Sequence, residues 1–457
     1  MLRAAVATGA VAALAFGLVG GTHGATDPGT AALTPATAAA NGTATVSAAV
    51  SAAAYHRARA PKPKPVPKTL FGMQPTGLTG TAVSAAQLAG ASPRSGVGTV
   101  KLVSSGAEWR TVEATKGTHN FDPLDRAVAN ARAAGARDID VLIGGTPLWA
   151  AKRVLSTDRI PGYGSTPKRF GDYKRFVTAL AKRYKGRISS YQVWAEANLR
   201  DLWSGTPNEL AKLTAIAYKA IKSQDPGAEV LAASTTARWA CCGWYTSYLN
   251  KLAKKKYRYK GHYPADVLSA HLYAASTGSP LDRQRLLGTV KAAIARSKAP
   301  KLPLWDSEIN YGVAGPGPTY PHVNLDNAKG AGYVARTYLD ALRFGVDRVY
   351  WSAWMPKNPV YGITMWPGSK GAVAQQVTYD WLVGNAWRGC TTSRQVVTCV
   401  VGTGKRTATI AWSEGKKGKV IAPKKSAVLC QLNGKCVKTK AGKKIKVNGT
   451  PVRIGRR

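Results

Sequence analysis

Acidic side chains are scarce in this chain: 23 Asp and Glu stand against 65 Lys and Arg over 457 residues, a formal net charge of +42. Such a field attracts polyanions, among them teichoic acids, acidic polysaccharides and anionic cell surfaces. It does not by itself make a specific nucleic-acid partner, because no nucleic-acid motif accompanies it and an export signal opens the chain. Histidine is scarcer still, with six residues, and none stands at ligand spacing from either outer cysteine pair, so neither a metal nor another cofactor is expected. After residue 25 no apolar run is long enough to span a bilayer. A Gly-rich phosphate turn after the first strand is also lacking, which weakens an open doubly wound sheet as a reading of the fold.

The N-terminus has the grammar of a signal peptide over residues 1–25: Arg3, an apolar stretch from Ala4 to about Val19, then small residues up to Ala25. A membrane anchor is the alternative, disfavoured by the shortness of the stretch and by Gly9 and Gly17. Residues 26–68 are rich in Ala, Thr and Ser and end in Pro61-Lys-Pro-Lys-Pro-Val-Pro-Lys68. That composition offers too little apolar surface to offset ordering entropy and reads as an extended tether. The six cysteines suit an oxidising compartment, so the chain is expected to be secreted or held at the cell envelope. Cys390 with Cys399 and Cys430 with Cys436 have spacings that fit small disulfide loops; Cys241 and Cys242 are adjacent and read either as a vicinal disulfide or as thiols.

From Thr69 short apolar runs alternate with helical periodicity. Eight runs read as buried parallel strands: 70–73, 99–103, 139–143, 190–194, 229–233, 267–272, 302–305 and 348–351. Between them lie helical patterns such as 122–134 and 169–184, and Thr206-Pro-Asn-Glu209 opens another with a capping box. Eight such units predict an α/β fold, a (β/α)8 TIM barrel over 69–386. Over 387–457 the helical pattern stops, and short β runs between Gly and Lys turns predict a small all-β domain. This part holds 18 Lys or Arg and a single acid, Glu414. It reads as a passive flank of the barrel or as a second sugar-binding surface.

Two of the few acids stand at strand ends beside tryptophan: Glu196 in Trp194-Ala-Glu-Ala-Asn198, and Glu308 in Trp305-Asp-Ser-Glu-Ile-Asn310. Carboxylates at the C-terminal ends of barrel strands read as catalytic, and a pair of them matches the needs of glycosidic cleavage, one to protonate the leaving oxygen and one on the other face of the ring. A separation of about 5 to 5.5 Å would specify retention through a covalent intermediate. Aromatic side chains gather at the same strand ends: Trp149, Trp203, Tyr273, Tyr311, Trp351 and Trp354, with His271. Such rings stack on the apolar faces of sugars, whereas Trp194 and Trp305, which precede the glutamates within their strands, read as core.

These stretches resemble the retaining glycoside hydrolases of the large (β/α)8 clan A, most closely the family 39 type that includes β-xylosidases and α-L-iduronidases. The likeness lies in Trp109 to Asp125, Gly145-Thr-Pro-Leu-Trp149, Tyr191 to Asn198, His271-Leu-Tyr273 and Pro303 to Tyr311, in the expected order. It implies Glu196 as acid/base and Glu308 as nucleophile of an O-glycosyl hydrolase. The candidate substrate contacts are Lys101, Trp149, Asn198, His271, Tyr273, Asn310, Tyr311, Trp351 and Trp354. Two departures stand out. Where the family has Trp-Asn-Glu, this chain has Ala195, which cannot hydrogen-bond the sugar 2-hydroxyl. The clan's strand-two arginine is replaced by Lys101, which keeps the charge without the two-pronged geometry. The expectation is thus a secreted hydrolase of a cell-envelope or environmental glycan, with a carbohydrate or anionic wall-polymer binding protein as the alternative. An acidic sugar would suit the positive field, with Lys101 as its partner if that side chain reaches the barrel mouth.

Overall fold

A computed structural model of the chain describes residues 63–455, except 157, 159, 239–240, 316–320, 357–358 and 424–426. The expected signal peptide and most of the expected tether lie outside the described residues. Nine parallel strands form the first sheet: β1 Phe71–Pro75, β2 Thr99–Leu102, β3 Ile139–Leu142, β4 Ser190–Gln192, β5 Glu229–Leu231, β6 Thr235–Thr236, β7 Leu268–His271, β8 Leu304–Ile309 and β9 Arg348–Trp354. Their order is β5-β4-β3-β2-β1-β9-β8-β7-β6. The ends of that list meet. Leu231 bridges Val267, and β6, which continues β5 after a three-residue break, pairs with β7, so the sheet closes as an eight-membered barrel.

The helices follow the strands: the short α1 Ala85–Leu88 and α2 Trp109–Val112, then α3 Asp122–Ala133, α4 Phe170–Arg183, α5 Pro207–Gln224, α6 Cys242–Leu252, α7 Pro280–Ala295, α8 Ala328–Phe344 and α9 Lys370–Leu382. Their starts are set by local chemistry. The Thr206 hydroxyl and the Glu209 carboxylate form the expected capping box on α5, and Ser279 with Asp282 does the same for α7. Asn327 caps α8, which stops at Gly345 in the left-handed region (φ 67°). The longer helices bury an apolar stripe, as Tyr173, Phe176, Val177 and Leu180 of α4 show.

The barrel interior is polar toward its base, and its charges are paired. Lys101 Nζ lies 2.7 Å from Asp140 Oδ2 and also donates to Gln192 Oε1. Outside the barrel, between the sheet and its helices, Arg283 of α7 donates from Nε and Nη2 to Asp306 Oδ2 of β8, at 2.9 and 2.7 Å, both side chains being buried.

The C-terminal part is an antiparallel sheet of β10 Trp387–Ser393, β11 Val396–Val401, β12 Ala408–Ser413, β17 Val452–Gly455, β14 Ala427–Cys430 and β15 Cys436–Thr439, in that order, with a separate pair of β13 Gly418–Ile421 and β16 Lys444–Val447. Disulfides join Cys390 to Cys399 across β10 and β11 and Cys430 to Cys436 across β14 and β15; Cys241 and Cys242 are also joined. Val397, Cys399 and Trp412 belong to the same continuous apolar cluster as the barrel core. Glu414 adds a polar clamp, accepting from Arg343 Nη1 at 2.6 Å and from Gln284 Nε2 at 3.1 Å on the barrel helices.

Residues 64–66, which the composition assigns to the tether, are pinned to this junction. Val66 is buried, its N–H donates to the Asn385 carbonyl at 2.9 Å, and Trp387 N–H donates to the Lys64 carbonyl at 3.1 Å. Close packing continues to β2: a Cβ on Gly98 would lie 1.8 Å from the Lys68 carbonyl oxygen, so only glycine fits there.

Candidate active site

At the C-terminal ends of the barrel strands a cleft is lined by residues from most of the βα loops, Glu196, Glu308 and His271 among them. Glu196 stands on the turn after β4 in the left-handed region (φ 48°), where a non-glycine residue is held only if its surroundings demand it. Here they do. Its N–H donates to Ser234 Oγ at 3.1 Å, Ala197 N–H donates to the Ser234 carbonyl, and Ser234 N–H donates to the Trp194 carbonyl. Trp194 anchors the same turn, its indole donating to the Leu202 carbonyl at 2.7 Å and its ring meeting Trp203 edge-on. Glu308 lies within β8, in register with His271 of β7.

His271 sits between the carboxylates. Its Nδ1 is 3.0 Å from Glu196 Oε1 and 3.4 Å from Glu308 Oε2, so those two oxygens are at most about 6.4 Å apart. The direction of the hydrogen bonds follows from the neighbours. Ser234 Oγ already accepts from Gln192 Nε2 (3.2 Å) and from Glu196 N–H, which leaves its own proton for His271 Nε2 at 3.0 Å. The imidazole therefore carries its proton on Nδ1 and directs it at the carboxylates. Tyr273 donates to Glu308 Oε2 at 3.2 Å.

Burial, with Lys101 adding to it and the Glu308 charge opposing, lowers the His271 pKa to about 4, so the ring is neutral at ordinary pH. Burial pushes the Glu196 carboxyl up to about 7, against a smaller pull from Thr236 and Arg238. Glu308 is also raised by burial; His271, Lys101 and the Tyr273 hydroxyl work the other way, and the Glu196 charge adds to the rise. A carboxyl holding its proton near neutrality thus faces a second one that accepts a hydroxyl hydrogen bond, a division suited to acid and base work.

Of the expected substrate contacts, His271 and Tyr273 are at the carboxylates and the others are elsewhere. Lys101 is wholly buried inside the barrel, its charge met by Asp140, and does not reach the mouth. Asn198 is committed to the backbone of Thr236 through both ends of its amide. Asn310 binds the carbonyls of Ser352 and Ile363. Tyr311 is buried against Tyr333 with its hydroxyl on Thr337. Trp149 donates to the Glu113 carbonyl and packs on Trp109. Trp351 lies in the core beside Tyr311, and Trp354 is packed against Gly90 and donates to the Ala86 carbonyl.

The cleft is also lined by residues that the sequence reading passed over, among them Gln74, Glu108, Tyr163, Ser352 and Tyr361. Glu108 carried a usable signal, an acid beside a tryptophan after a barrel strand. Tyr163 and Tyr361 lie in loops without periodicity and carried none. Ala195 lines the cleft as its number implies, with a methyl group where an amide is expected. Among the described residues no group of three or more His, Cys, Asp or Glu is arranged to hold a metal.

No family model matches the sequence, and no curated protein matches it. Solved structures do. A family 39 glycoside hydrolase from Bacteroides cellulosilyticus WH2 superposes with a TM-score of 0.61 at 16% identity over 86% of this chain and 81% of the other. A family 39 β-xylosidase from Caulobacter crescentus gives 0.60 at 16% identity over 87% and 97%. A family 30 endoxylanase from Clostridium papyrosolvens C71 gives 0.57 at 13% over 87% and 98%. These shares exceed what the barrel alone occupies and so take in the β domain. At such identities the likeness is one of fold, and that fold, a (β/α)8 barrel carrying a small β domain, is the one seen in the family 39 glycoside hydrolases.

Proposed function

We propose that this chain is an exported retaining glycoside hydrolase that cleaves a cell-envelope or environmental glycan with Glu196 and Glu308. The observation that carries the reading is the convergence of the two carboxylates on one imidazole proton, which keeps their nearest oxygens within about 6.4 Å. So close an approach favours the retaining arrangement, with carboxyl groups about 5 to 5.5 Å apart, over an inverting one, which is wider by a water. In the proposed reaction Glu308 attacks the anomeric carbon while Glu196 gives its proton to the leaving oxygen. The ester so formed is then opened by a water that Glu196, now ionised, deprotonates. Export is supported by the N-terminal signal pattern and by the three disulfides.

A second reading has its own observation. Ala195 leaves the cleft without the amide that strengthens its hold on the sugar in the transition state, and a barrel so weakened would bind carbohydrate without turning it over. Assay of a panel of aryl glycosides and wall polysaccharides separates the two. Turnover with net retention, lowered about a thousandfold or more by Glu308→Ala, is expected of the hydrolase. Tight glycan binding without turnover, and activity only in Ala195→Asn, would establish the binding protein.

A further inference from the structure

The chemistry of the cleft wall is the opposite of the chemistry of the chain. Of 65 Lys and Arg, none is among the described residues lining the cleft, whereas three of the 23 acids are: Glu108, Glu196 and Glu308. Glu108 is part of no pair with the other two. It follows β2, directly before α2, and its segment is fixed by the N–H groups of Trp109 and Arg110 donating to the carbonyls of Gly144 and Gly145, both at 2.9 Å. Gly145 has φ 69°, and a Cβ there would stand 2.7 Å from the Tyr163 ring, so glycine lets Tyr163 close over this segment.

Arg110 backs the Glu108 carboxylate. Its Nε donates to Oε2 at 3.0 Å, and its guanidinium lies over the Tyr163 ring, 5.7 Å from the centroid. Among the described residues the other oxygen, Oε1, has only the Tyr163 hydroxyl, at 3.5 Å, the outer limit of a hydrogen bond. Glu108 is 2% exposed. A buried carboxylate oxygen with spare acceptor capacity thus lines the same cleft as Ala195, where the expected amide is missing.

Resting on the hydrolase reading above, we propose that Glu108 is a specificity-determining residue of the reactive subsite: it accepts a hydroxyl hydrogen from an uncharged sugar in place of the lost amide, and it bars uronic acids. A uronate there would bring a further carboxylate against Glu108 and Glu308 with no cation among the described lining residues: Lys101 is spent on Asp140, Arg110 on Glu108, and Arg238, whose charge acts on Glu196, donates to the Val313 carbonyl. The basic surface and the cleft then select different parts of a polymer, the surface its anionic groups and the subsite a neutral ring.

The test uses the full chain and matched 4-nitrophenyl glycosides and glycosiduronic acids of the gluco and galacto series, in both anomers, with their monodeoxy analogues. The neutral member of a pair is expected to be cleaved at least about a hundredfold faster than the uronic one. Glu108→Ala is expected to lower kcat/KM for the neutral sugar by about 10- to 100-fold. One deoxy analogue should be indifferent to the substitution, because it lacks the hydroxyl that Glu108 accepts, and a merely structural loss would slow every analogue alike. Equal turnover of neutral and uronic sugars, or an equal effect on all analogues, overturns the proposal. If the native chain cleaves nothing, the hydrolase reading fails. The role of Glu108 is then read from calorimetric binding of the same glycosides: a preference for neutral sugars that Glu108→Ala removes upholds it, and no preference overturns it.

Discussion

A carboxyl that titrates near neutrality ties the stability of Glu196 to its proposed task. Its pKa rises from 4.5 to about 7 on folding, so the folded chain holds the proton more tightly than the unfolded one. The stabilisation from that proton is complete below pH 4.5 and is lost as pH rises through 7. Glu196→Gln should therefore be more stable than the native chain at pH 8, on the order of 2 kcal/mol, measured by denaturant unfolding. The native chain's kcat/KM should fall as pH rises above about 7, where the acid is deprotonated, and a profile flat to pH 9 would count against Glu196 as the acid. Much of this residue-level picture was legible in advance. Glu196, Glu308, His271 and Tyr273 sit where strand ends and neighbouring aromatics put them. Lys101, Trp351 and Trp354 were misplaced for one physical reason: strands buried on both faces read as continuous apolar runs, and such runs do not say which side chains point into the barrel, which into its wall and which toward its mouth.

Elements rather than residues decide whether the cleft keeps its shape. Arg283 on α7 and Asp306 on β8 fix the strand that carries Glu308, two positions along. Burial raises the Asp306 carboxyl to about 6 even against Arg283. Arg283→Ala would leave that carboxyl without its partner and should cost about 3–5 kcal/mol in thermal or denaturant unfolding. A loss under about 1 kcal/mol would mean that water or a neighbour takes the place of the guanidinium. At this scale the sequence was most informative about the barrel strands and least about the β domain's borders. The β runs legible there are 395–401, 407–412, 419–421, 427–431, 445–447 and 452–454; β10 and β15, outside them, are the two edges of the six-stranded sheet. Their residues are mostly exposed or half-buried, so the alternation that betrays a strand is absent. β6 was passed over because two residues after a break make no pattern at all.

Over the whole molecule, charge is divided by place: lysines cover the β domain, as Lys416, Lys417, Lys438, Lys443 and Lys444 show by their exposure, while its lone acid is turned inward to the barrel helices. Glu414→Ala should loosen the domain, with a loss of about 1–2 kcal/mol and a lower Tm, while kcat at 25 °C stays near the native value; a large fall in kcat at that temperature would mean that the domain shapes the cleft. The short segment around Val66 has a different bearing. It enters beside the ends of α9 and the start of β2, on the face of the barrel where strands begin, and the cleft opens on the face where they end. The described chain thus enters from behind the barrel, and a pull along residues 63–66 is borne by the joint between barrel and β domain rather than by the walls of the cleft.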